Sequence, residues 1–162
     1  MIYVLQVQTG KELDICAALN RDDISASVPR ERLLIRKGGL WTKVLKLLFP
    51  GYVFAEVEYS AEIFHKVKTV SGVIRFLGDP TPLPESEAEM IRWLSNDGNV
   101  IEPSELISDS EGGVVGYKGF LEGSEDKIKR LNLRQKKASV EVRFGGKVHK
   151  ANIGVITNTK SE

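Results

Sequence analysis

Residues 118–162 hold eleven lysines and arginines against five aspartates and glutamates. The basic residues gather in two runs, Lys127-Lys129-Arg130-Arg134-Lys136-Lys137 and Arg143-Lys147-His149-Lys150. Cations at this density can bind a polyanion, because each phosphate they neutralise releases a condensed counterion. The bland alternative is a solvated basic face, the usual origin of a charge run. Other chemistry is sparse. Cys16 is the single cysteine, which excludes an internal disulfide and a cysteine-based zinc site. It falls on the apolar side of an expected helix, where an inert thiol is the simpler reading. His65 and His149 are too isolated for a metal cluster, and His65 reads as an exposed helix residue. No motif pairs a nucleophile with a base, and no glycine-rich loop opens a helix to cradle phosphates. Neither an enzyme nor a cofactor or metal is expected.

Two further groups could make contacts. Phe49-Pro50-Gly51-Tyr52-Val53-Phe54 places aromatics at alternate strand positions. These either fill a core or line an apolar groove for a partner helix. Arg36, Lys37, Lys43 and Lys46 surround Gly38-Gly39 and Trp41. That loop is either simply solvated or a nucleic-acid contact combining phosphate attraction with base stacking.

The elements that position these residues follow from periodicity. Ile2–Gln8 reads as a strand ended by Thr9-Gly10, and a helix is expected over about 11–20. Val28–Ile35 reads as extended and Lys37-Gly38-Gly39 as a turn, while Leu40–Leu48 has no clear period. Tyr52–Val57 and Val73–Leu77 are expected strands. Ser60 should cap a helix carrying Ile63, Phe64 and Val67, and a third helix is expected over Glu85–Ser95. The order β-α-β-β-α-β-α predicts an α+β fold, a small, mostly antiparallel sheet flanked by helices. Asn96–Gly113 is polar, acidic and turn-rich, and reads as a linker. Short strands follow at Gly113–Tyr117, Lys127–Leu131, Lys137–Phe144 and Lys147–Ile153, the third strictly alternating, with Gly145-Gly146 as a hairpin turn. A small closed β-barrel is expected, since closure removes exposed edges. Ser124–Lys137 also carries enough helix formers for a partly helical alternative.

The expected division is therefore 1–96, a linker at 97–112, and 113–162. With 162 residues, 41% hydrophobic and 28% charged, the chain has the composition of a folded protein rather than a disordered one. The net charge of +1 conceals a split: residues 118–162 carry +6 and residues 1–117 carry −5. The start lacks the basic and apolar pattern of a secretory signal and no stretch suits a bilayer, so a cytoplasmic protein without membrane contact is expected.

Leu48-Phe49-Pro50-Gly51-Tyr52-Val53-Phe54, Val70-Ser71-Gly72-Val73-Ile74-Arg75-Phe76-Leu77-Gly78 and Pro82-Leu83-Pro84, in that order, resemble the N-terminal (NGN) domain of the NusG family of transcription elongation factors. Tyr3-Val4-Leu5-Gln6-Val7 and Gly10-Lys11-Glu12 fit as well. Lys118-Gly119-Phe120-Leu121-Glu122-Gly123, Ile128, Val140-Glu141-Val142 and Phe144-Gly145 resemble the KOW module of that family. Ile2-Tyr3 in place of the usual aromatic pair, and Asp126-Lys127 where a glycine precedes Ile128, point to a specialised paralogue of the LoaP-like and RfaH-like group, with LoaP-like preferred. The resemblance implies a monomeric elongation and antitermination factor. Tyr3, Phe49, Pro50, Tyr52, Phe54, Phe64 and Ile74 would meet the clamp helices of the RNA polymerase β′ subunit. Lys127, Lys129, Arg130, Arg134, Lys136, Lys137, Arg143, Lys147, His149 and Lys150 would bind an RNA hairpin in the nascent leader transcript. Lys37, Trp41 and Lys43 are candidate contacts to upstream or non-template DNA. The alternative is a general NusG-type adaptor whose KOW module binds ribosomal or termination proteins through an apolar surface near Phe144. A KOW-type ribosome-associated protein is a third reading, and it leaves the N-terminal domain unexplained.

Overall fold

The computed structural model describes residues 1–157. Lys160 and the end of the module expected to reach residue 162 lie outside the described residues. Among the described residues the chain divides into two compact units: 1–29, 49–99 and 142–149 form the first, and 30–48, 100–141 and 150–157 form the second.

In the first unit, strands β1 (Ile2–Val7), β2 (Ser25–Ser27), β5 (Tyr52–Glu56) and β6 (Val73–Phe76) form a sheet of order β2-β5-β1-β6. All its pairs are antiparallel. The β1–β5 register sets Val4 opposite Phe54 and Gln6 opposite Tyr52, so these four share one face. Tyr3, Leu5, Val53 and Ala55 share the other, with Phe76 joining them through its pairing to Leu5. Helix α1 (Glu12–Arg21) buries Ile15 and Leu19. Helix α2 (Ala61–Lys68) is capped by Ser60, whose Oγ accepts the Ile63 N–H at 3.1 Å. It lays Phe64 on Phe76. Helix α3 (Glu85–Ser95) runs over the residues expected and buries Ala88, Ile91 and Leu94. Ser95 of α3 bonds Ser27, which is paired to Phe54, so α3 lies over the Phe54 face.

The second unit contains the β3 (Arg30–Lys37) and β4 (Leu40–Leu47) hairpin, paired over eight residues. β4 is the stretch without a readable period, since most of its side chains are exposed. Backbone pairing to β3, rather than burial of one face, makes it a strand. β2 is likewise a short polar edge strand with no apolar signature; the Asn20 side chain accepts its Ala26 N–H at 2.9 Å.

A five-stranded sheet has the order β8-β7-β11-β10-β9, from β7 (Ser104–Ser108), β8 (Val114–Lys118), β9 (Arg130–Asn132), β10 (Lys137–Phe144) and β11 (Lys147–Thr157). Two features of this sheet are not indicated by the sequence. The sheet is a half-barrel whose end strands β8 and β9 are not paired to each other, rather than a closed barrel. In addition, β7 lies within the stretch that reads as an acidic linker. Its Ser104 and Leu106 are buried, and its parallel pairing with Val155–Thr157 supplies the backbone partners. The helical alternative over 124–137 is realised only as a single 3-10 turn at Glu125–Lys127. β10 has the expected bounds, with Val140, Val142 and Phe144 buried and Glu141 and Arg143 exposed, but Ser139, expected on the wet face, is buried as well. Gly145 and Gly146 both take positive φ in the turn. No helix among the described residues is long and apolar enough to cross a membrane.

Candidate functional site

The turn that delivers the aromatic strand is anchored by Glu12. This buried carboxylate accepts the Gly51 N–H at 2.7 Å and the Gly10 N–H at 2.9 Å. Gly51 has φ +89, a conformation that glycine adopts without a Cβ clash. The Gly51 carbonyl in turn accepts the Val7 N–H at 2.9 Å. The first turn of α1 thus fixes where Phe49, Pro50 and Tyr52 leave the sheet.

The seven residues expected to bind a partner helix divide between two places. Tyr52 and Phe54 lie on one sheet face, and Phe49 meets Phe54 edge-to-face at 5.7 Å. Tyr3 lies on the opposite face among Tyr59 and Phe76, and Phe64 stacks on Phe76. Tyr3 and Phe64 therefore do not join the Phe49–Tyr52–Phe54 cluster. Pro50, Tyr52 and Ile74 line one open cavity of about 370 Å³ together with Gln6 and Thr9. Ile74 is 52% exposed, whereas Phe54 is only 1% exposed.

The Phe49–Tyr52–Phe54 cluster is occupied. Phe144 lies within 5.0 Å of Tyr52 and 5.5 Å of both Phe49 and Phe54, each edge-to-face. His149 stacks on Phe144 and meets Tyr52 at 5.6 Å. The hairpin end is held further by the Arg143 N–H, which donates to Glu87 of α3 at 2.6 Å. Sequence patterning marks Phe144 as buried, but nothing local indicates which rings it meets. Glu12 and Phe76 carry no site signal in the sequence beyond burial.

The basic residues also separate. Arg143, Lys147 and His149 lie in the first unit. Lys127, Lys129, Arg130, Arg134, Lys136, Lys137 and Lys150 lie in the second, with Lys37, Trp41 and Lys43. Arg130, Lys137 and Lys150 converge on a polar cleft of about 250 Å³ with Asn132, Gln135, Ser139 and Asn152. Arg134 is exposed. Burial, the largest influence, lowers the His149 pKa, and Lys147 adds to this; the hydrogen bond with the Phe144 carbonyl opposes it. The neutral ring is therefore favoured where it stacks, and His149 is placed with the aromatic cluster rather than with the cationic cleft.

Glu31, on β3, is 3% exposed and its Oε1 has no hydrogen-bond partner. Burial pushes its carboxyl up to about 8, opposed by the Gly154 backbone and by Lys137 and Lys46. Among the described residues no group of three or more histidines, cysteines or carboxylates could hold a metal ion.

A family model described as "Transcription termination factor nusG" matches residues 2–92. The chain is similar to the "Transcription termination/antitermination protein NusG" of Helicobacter pylori (strain J99), 32% identical over 126 residues that cover 70% of each chain. It is also similar to the Haemophilus influenzae protein of that name, 29% identical over an alignment of 168 residues covering 88% of this chain and 90% of the other. Among solved structures it resembles one titled "Domain interaction in Thermotoga maritima NusG", with a TM-score of 0.55 at 20% identity, covering 94% of this chain and 92% of that one. At that identity the likeness is one of fold.

Proposed function

The chain belongs to the NusG family of transcription termination and antitermination factors, and from that premise we propose that it binds RNA polymerase through the Phe49–Tyr52–Phe54 face and is recruited by a nascent RNA hairpin through its basic C-terminal residues. In this reading 1–96 act as the NGN-type domain, 97–112 as the connection and 113–162 as the KOW module of a specialised, LoaP-like antiterminator. The polymerase partner is the β′ clamp helices. Bridging the clamp shifts the polymerase away from its open, paused state and requires no chemistry from this protein.

One observation carries the reading: the aromatic face accepts inserted rings, and here Phe144 and His149 fill it. A surface built to take rings from 142–149 can take the apolar side chains of a partner helix in their place. The two occupants exclude each other, so apparent polymerase affinity is the intrinsic affinity multiplied by the fraction of molecules in which the hairpin end is withdrawn. RNA bound at the basic residues would raise that fraction.

The test is binding of the full chain to core RNA polymerase, with and without a leader-RNA hairpin. Tyr52→Ala should weaken association at least ten-fold, a loss of about 1.4 kcal/mol, and the hairpin should strengthen association of the unmodified chain. Unchanged polymerase affinity in a folded Tyr52→Ala variant would remove the docking face from this reading. Equal, salt-labile binding to every RNA would remove hairpin recruitment.

A further inference from the structure

We propose that Trp41 is a base-stacking platform of the RNA site, receiving an unpaired nucleotide whose flanking phosphates are held by Arg36 and Lys136. This rests on the RNA-recruitment reading above and adds to it a stacking residue and the kind of nucleotide recognised.

The C-terminal basic residues lack a ring of their own. Phe144 is packed among Phe49, Tyr52 and Phe54, and Phe120 is half-buried. By themselves these cations attract phosphates and sense shape, and they offer an unpaired base only a guanidinium plane rather than an aromatic ring. The second unit supplies the missing ring from a distant part of the chain. Trp41 stands on the β3–β4 hairpin, 36% exposed. The Lys136 Nζ lies over its ring at 5.1 Å, and the Arg36 guanidinium carbon lies over it at 5.9 Å. Arg36 is its cross-strand partner. Lys43 lies two residues further along β4 and is exposed on the same face of the hairpin.

Lys136 is held in place to make this contact. Its φ is +58, an uncommon conformation for a residue with a Cβ. Its N–H donates to the Leu133 carbonyl at 3.3 Å, and its own carbonyl accepts the Val155 N–H at 3.0 Å. The backbone is thereby tied to the half-barrel while the side chain reaches the indole. The adjoining Lys137 lines the cleft with Arg130 and Lys150. Trp41 and the cationic cleft are thus joined through two consecutive residues. Among its described residues the second unit holds fourteen lysines and arginines against nine aspartates and glutamates.

A planar ring with two cations over it matches a nucleotide, which offers a π face and a phosphate within one residue's length. An exposed cation–π contact is weaker than stacking of a base on an aromatic side chain. An incoming base therefore displaces the Lys136 ammonium from the ring, and the freed ammonium moves to the adjacent phosphate. Bases within a duplex are stacked on their neighbours and unavailable, so the ligand is a loop, bulge or single-stranded flank of the RNA.

The test uses the full chain and three probes: an RNA hairpin with a 2-aminopurine in its loop, a blunt RNA duplex with the same stem, and the DNA counterpart of the hairpin. Binding of the loop RNA should quench 2-aminopurine fluorescence. Trp41→Ala should abolish the quench and weaken loop-RNA binding about ten-fold while leaving blunt-duplex binding unchanged. Lys136→Ala should reduce the salt dependence of loop-RNA binding. Wild-type quench and affinity in a folded Trp41→Ala variant would overturn the stacking role while leaving RNA recruitment standing. Absence of binding to any RNA would overturn both. Equal or tighter binding of the DNA hairpin would overturn RNA as the ligand class.

Discussion

The His149 imidazole lies flat on the Phe144 ring, with centroids 3.7 Å apart and planes 3° apart, and its Nε2 is 3.2 Å from the Phe144 carbonyl oxygen. The two side chains enter the aromatic face as one slab. Because burial depresses the His149 pKa, the undocked ring takes up a proton before the docked one does. The contribution of His149 to docking is complete above the ordinary histidine value of about 6.5 and is lost as pH falls below it toward the docked value. Hydrogen-exchange protection at residues 142–149, corrected for the intrinsic pH dependence of exchange, should therefore fall as pH drops below about 6.5, and His149→Phe should abolish that fall.

Phe144 touches Phe49, Tyr52 and Phe54 at once. Replacing it with alanine removes those ring contacts and should cost about 3 kcal/mol of unfolding free energy. On the exclusion argument the same variant should bind core polymerase more tightly than the unmodified chain and no longer respond to RNA. Urea denaturation and polymerase titration measure the two effects separately.

Glu12 holds the turn that presents the aromatic strand. Glu12→Ala leaves the Gly10 and Gly51 N–H groups without their acceptor. The expected loss is about 3 kcal/mol, read from the urea midpoint at constant slope. Glu12→Gln, which keeps one acceptor oxygen, should fall between the two.

Glu31 makes the second unit sensitive to alkali. Its folded pKa of about 8 lies above the ordinary 4.5, so between these values the folded chain holds a proton that the unfolded chain has released. Its contribution is fully favourable below about pH 4.5 and declines by about 1.4 kcal/mol per pH unit up to about pH 8. Glu31→Gln should remove this slope and raise thermal stability near pH 8, as followed by melting curves across pH.

Much of the local structure was legible in the residues. Alternation from Ala138 to Phe144 marked β10, Ser60 marked the start of α2, and Gly145-Gly146 marked the hairpin turn, because each depends on neighbours a few positions away. β2, β4 and β7 were not legible as strands. β2 and β4 bury few side chains, β7 buries Ser104 and Leu106 within an otherwise polar stretch, and the backbone partners of all three lie elsewhere in the chain.

Site residues follow the same division. The sequence by itself determined that Phe49, Tyr52 and Phe54 form an aromatic group, that Trp41 sits among cations, and that positive charge gathers after residue 117. Tertiary structure alone decided that Tyr3 lies on the opposite sheet face from Tyr52, that Phe144 and His149 fill the Phe49–Tyr52–Phe54 cluster, and that Lys136 comes to rest over Trp41. The physical reason is that residue type and spacing state what a side chain can bury or attract. Which of many chemically equivalent partners it meets is settled by strand register and chain reversal, and those act over separations of up to about a hundred residues.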